Sequence, residues 1–240
     1  VKRIAEAGKG GRSFLGGISA KDLLEEITQT VINQQKTSLR VLSDIENKLR
    51  DEDIYMVDET EVTEAQSAFI SEYFIRKVSP ALVTIMIGEL EQFPSLKDSA
   101  AYLAVKMKMS KDDETFQSKF NYALIEIPRT IDRFIVLPND GEKQYIIILD
   151  DLIRYCLHNI FSIFKYDSIS AHMIKITRDA ELDLDSDLSR SFIEKISKSV
   201  KNRSVGDPVR FVYDKSIGKE TLRYLMEKMG VDDTDSIIPG

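Results

Sequence analysis

The chain has 240 residues, 42% of them hydrophobic and 30% charged, a balance that fits a globular protein and excludes a disordered one. Its net charge of −7 argues against bulk nucleic-acid binding, because nucleic-acid backbones recruit positively charged surfaces, and no nucleic-acid partner is expected. The single cysteine, Cys156, excludes an internal disulfide and a thiolate zinc cluster and fits a reducing compartment.

The longest purely apolar run, YIIIL at 145–149, is too short to span a bilayer, and no secretory signal is visible. A cytoplasmic location without a transmembrane segment is expected, with peripheral attachment to a membrane as a variant. Because the chain opens on Val1 and closes on IIPG, it reads as a fragment of a longer protein.

Along the chain, GKGGRSFLGG at 8–17 comes first, with five glycines. A phosphate-cradling loop needs G-x-x-x-x-G-K-[ST] after a strand, and both features are missing, so the segment reads as a connector. Ser19 is the expected N-cap of a long helix, with Asp22 at the third helical position. Leu24, Ile27, Val31, Leu42, Ile45 and Leu49 share roughly one face, interrupted by Gln34, Gln35 and Ser38. The interruption predicts a helical hairpin or bundle and not a coiled coil. A second helix is predicted from Thr63 to Val78, burying Ala65, Phe69, Tyr73 and Phe74 and ended by Pro80.

The texture then changes. AYLAVKMKM alternates, with Leu103, Val105, Met107 and Met109 on one face and Lys106 and Lys108 on the other, which predicts a half-buried strand. Further strands are predicted at 120–128 and 133–138, with a turn at Arg129–Asp132, and DDETFQ at 112–117 reads as an exposed hairpin loop. Strand 145–149 leads into a helix at 151–164 capped by Asp150, strand 173–178 into a helix at 187–201, and strand 209–214 into a helix at 218–229 closed by Gly230. The sum is an α+β chain: a helical N-terminal segment over 1–79, then a mixed-sheet α+β domain over 80–240.

Several residues carry candidate chemistry. In RDAELDLDSDLSRSFIE, Asp183, Asp185, Asp187 and Glu194 occupy positions 1, 3, 5 and 12 of a calcium-loop template. Position 6 must be Gly and is Leu188, and Leu188, Phe192, Ile193, Ile196 and Val200 already form a helical stripe. The acids therefore read as the approach and first turn of a helix, where negative charge suits the dipole, and no metal site is assigned. His158, in the middle of the 151–164 helix, and His172, just ahead of a strand, have no partners at metal-ligand spacing and read as structural or solvated. Cys156 reads as a buried, inert thiol. Lys198, Lys201, Arg203 and Arg210 gather late in the chain and are the candidate anion contacts.

A resemblance sharpens this reading. IIILDDLIRYCLHNIFSIFKYDSISAHMIKITRDAELDL, then SVKNRSVGDPVRFVYDK, then MGVDDTDSIIPG closely resemble the middle, or head, domain of the first family of bacterial polyphosphate kinases. SEYFIRKVSPALVTIMI resembles the end of that family's helical N-terminal domain, and YALIEIPRTIDRFIVLP the head-domain strands that follow. The resemblance implies reversible transfer of the terminal phosphate of ATP to polyphosphate, with magnesium, through a phosphohistidine in domains that follow the head domain. It therefore implies no catalytic or cofactor-binding residue here; ATP, ADP, magnesium and polyphosphate are expected for the full-length enzyme, with dimerisation through the head domain. The competing reading is a non-catalytic interaction module for polyanions or a protein partner.

Overall fold

The computed structural model describes residues 19–88, 90, 93–98, 100–111, 118–178, 208–231 and 236–240. The glycine-rich connector, the 112–117 loop, the acidic stretch and the 187–201 helix lie outside them. The chain divides into two compact units, one of residues 1–35, 92–101 and 174–240, the other of 36–91 and 102–173.

Helix α1, Ala20–Asp51, is the expected long helix and runs from one unit to the other, with the division after Gln35. Ser19 caps it: its Oγ accepts from the Asp22 N–H at 3.5 Å and its carbonyl from the Leu23 N–H at 3.0 Å. The expected apolar face is open, with Ile27, Leu42 and Ile45 all more than 40% exposed. The turn after the helix places Asp53 at a left-handed φ of 58°, which an aspartate tolerates better than most residues. The Asp53 carbonyl then accepts from the Gln144 N–H at 2.9 Å and opens strand β1, Ile54–Val57.

Within the second unit, β1 pairs in parallel with β6, Lys143–Ile148, which pairs antiparallel with β5, Phe134–Asp140, giving the order β1–β6–β5. Gly141, at φ 64°, makes the β5–β6 turn. Ile135, Leu137 and Ile147 form the buried face of this sheet, and α2, Glu64–Tyr73, packs against β5. A capping box starts α2: Thr63 Oγ1 accepts from the Gln66 N–H at 3.4 Å and Gln66 Oε1 from the Thr63 N–H at 3.0 Å.

The predicted 63–78 helix is corrected in two ways. Its regular part stops at Tyr73 and continues as a π-helical turn, Phe74–Val78, and a 3₁₀ turn, Ser79–Ala81, with Pro80 inside the latter. The buried positions are Gln66, Ile70, Phe74 and Val78, whereas Ala65 is exposed and Phe69 and Tyr73 only half-buried. A strict four-residue repeat drifts about 40° per step on a 3.6-residue helix, and the wider π turn removes that drift and keeps Val78 on the core side.

A second sheet has the order β2–β4–β3, from β2, Val83–Met86, β3, Ala101–Met109, and β4, Phe120–Glu126, with both pairings antiparallel, and continues past β3 to β7, Tyr166–Arg178. Strand β3 spans the predicted residues, but Tyr102 and Ala104 are as buried as Leu103 and Val105. It is a central strand, not a half-exposed one, in this part of its length.

The predicted 151–164 helix is two short ones, α3, Leu149–Tyr155, and α4, Leu157–Ile160, broken at Cys156 with φ −90° and ψ 10°. Asp150 is not the cap. Strand β6 feeds directly into α3 from Ile148, and the Leu149 N–H donates to the Arg133 carbonyl at 2.8 Å. Leu149, Leu152, Ile153, Leu157 and Phe161 are buried along this pair.

Strand β7, Tyr166–Arg178, begins seven residues earlier than predicted and runs from the second unit into the first. In the first unit it pairs antiparallel with β8, Pro208–Tyr213, which pairs in parallel with β9, Ser236–Pro239. Helix α5, Lys219–Met229, ends as predicted on Gly230, at φ 66°, with the Val231 N–H on the Met226 carbonyl at 3.0 Å in a Schellman closure. The mixed parallel and antiparallel pairing, with helices alongside, is an α+β fold. No helix among the described residues is long and apolar enough to cross a membrane.

Candidate functional site

Of the four candidate anion contacts, Lys198, Lys201 and Arg203 lie outside the described residues. Arg210 is on β8, exposed, in register with Thr177 of β7 and Ser236 of β9.

The most perturbed electrostatics lie elsewhere, on α3. Asp150 and Asp151 open this helix, and Arg154 follows at the spacing that returns to both of them. Arg154 pairs with Asp151 through Nη1 and Oδ1, sits 4.0 Å from Asp150 Oδ2, and donates from Nε to the Ala171 carbonyl of β7 at 3.2 Å. Arg133, on the turn before β5, faces Asp150 Oδ1 at 3.0 Å as an ion pair, an approach outside hydrogen-bonding alignment. Burial pushes the Asp151 carboxyl up to about 7; Arg154 pulls it back, while Asp150, Glu59 and Asp58 push it further. Asp58, on the turn after β1, is held below the usual carboxylate range, chiefly by the Thr60 hydroxyl, which donates to Oδ1 at 2.7 Å.

These groups tie α3 to β7 and to the 129–133 turn. Both aspartates are spent on arginines. Sequence reasoning did not single them out: the Asp-Asp-x-x-Arg spacing was visible, but the approach of Arg133 and Ala171 is tertiary.

The histidines lie on other elements than expected, while His158 is solvated, one of the two readings given for it. His158 is not among apolar neighbours in mid-helix but exposed on the short α4, with Nδ1 2.8 Å from the Tyr166 hydroxyl and the two rings stacked at 5.7 Å. His172 lies inside β7, not ahead of it, because that strand starts early. Cys156 is 1% exposed and its thiol is pushed up to about 12 by burial, so it carries little thiolate. Among the described residues no three His, Cys, Asp or Glu side chains are grouped to hold a metal ion. A shallow groove of about 350 Å³ runs along α5, lined by Lys219, Leu222, Arg223, Met226, Glu227 and Val231.

Comparisons with known proteins agree with one another. Residues 65–240, well over half of the chain, match the family model described as the polyphosphate kinase middle domain. The chain is 34% identical over 230 residues to a polyphosphate kinase of Vibrio vulnificus strain YJ016 and 32% identical over 228 residues to one of Escherichia coli strain K12. These alignments take in 94% and 92% of this chain but 32% of each relative, so the chain spans about a third of their length. The fold is similar to the crystal structure of polyphosphate kinase from Porphyromonas gingivalis, with a TM-score of 0.67 at 23% identity over 99% of this chain and 32% of that one. The chain belongs to the polyphosphate kinase family, and it carries that family's middle domain over residues 65–240.

Proposed function

We propose that this chain is part of an ATP–polyphosphate phosphotransferase, which moves the terminal phosphate of ATP reversibly onto polyphosphate through a phosphohistidine outside these residues. The match of residues 65–240 to the polyphosphate kinase middle domain carries this reading. In it, residues 1–79 close a helical N-terminal domain and residues 80–240 form the head domain, which frames the enzyme and contributes to a homodimer.

Phosphoryl transfer requires a nucleophile, a metal and cationic clamps in one place. The paired acids of α3 do not fit magnesium. Asp150 and Asp151 are engaged by arginines, and Asp151 is held close to neutrality by burial, the opposite of what a divalent cation needs. No step of the reaction is assigned to them.

The test is incubation with magnesium and ATP labelled on the terminal phosphate, applied to this chain and to the full-length gene product. The full-length protein is expected to take up acid-labile label and to form polyphosphate, and this chain alone to take up none. Label on His158 or His172, or a full-length protein that makes no polyphosphate, would overturn the reading.

A further inference from the structure

We draw no further inference here: the strongest candidate, the outer face of the β1–β6–β5 sheet in the second unit, where Phe134 and Val136 of β5 lie exposed beside their half-buried cross-strand partners Ile148 and Ile146 of β6, carries no proposal because nothing in the structure shows what covers it.

Discussion

Asp151 is the residue whose environment departs furthest from water. Its carboxyl is pushed from 3.8 up to about 7, mainly by burial, although Arg154 lies against it. A raised carboxyl means that the folded chain holds a proton which the unfolded chain releases near pH 4. The associated stability is therefore complete below about pH 4 and is lost as pH rises through about 7, with a ceiling of about 4 kcal/mol for a shift of that size. Asp151→Asn removes the titration and is expected to flatten the fall of the urea midpoint between pH 4 and pH 7; a variant that keeps the parent slope would refute the assignment. The sequence announced two acids and an arginine at helical spacing, but not that β7 and the 129–133 turn would dehydrate them. His158 is solvated, one of the two readings its sequence allowed, but its place on the separate helix α4 depends on the break at Cys156, which no local rule signals.

At the scale of elements, legibility followed the strength of the local signal. Helix α1, strand β3 and the Gly230 stop of α5 were readable, because a cap, a nine-residue alternation and a left-handed glycine each act through near neighbours. Strands β1, β2 and β9 were not predicted. Each has four residues, too few for a period to show; β1 pairs in parallel with a strand distant in sequence, and β9 in parallel with β8 across the α5 connection. Helix α2 was found and its buried face misjudged, because the capping box fixes its start at Thr63 while the π turn resets its end. Thr63→Ala is expected to cost ~1 kcal/mol in chemical unfolding, and Thr63→Ser to restore most of it, since the cap depends on the hydroxyl. A cost below a few tenths of a kcal/mol would mean that Gln66, buried under α2, holds the start of the helix without its partner.

For the whole molecule, the single thiol is a ready reporter. Cys156 lies 1% exposed at the α3–α4 break, and burial lifts its pKa to about 12, so a thiol reagent at pH 8 finds neither access nor thiolate. Native protein is expected to resist labelling and to yield one reactive thiol per chain in denaturant, with the rate between those limits set by opening of the second unit. Rapid native labelling would contradict the packing around Leu152, Leu157 and Phe161. The family was legible in long sequence stretches, whereas three of the four expected anion contacts fall in residues the structure does not describe. Lys106 and Lys108 were read as the outward side of a strand, and the approach of Lys106 to the Phe120 ring was not legible, because it is a cross-strand arrangement.

The parallel pairing of β1 with β6 has a consequence for biosynthesis. Ile54 and its partner Gln144 are separated by most of the second unit's chain. During synthesis the Ile-Tyr-Met-Val strand leaves the ribosome long before the strand that will cover its edge, and pairings of such long range form slowly. The edge of β1 that β6 covers therefore stays without that pairing until residues 143–148 have been made.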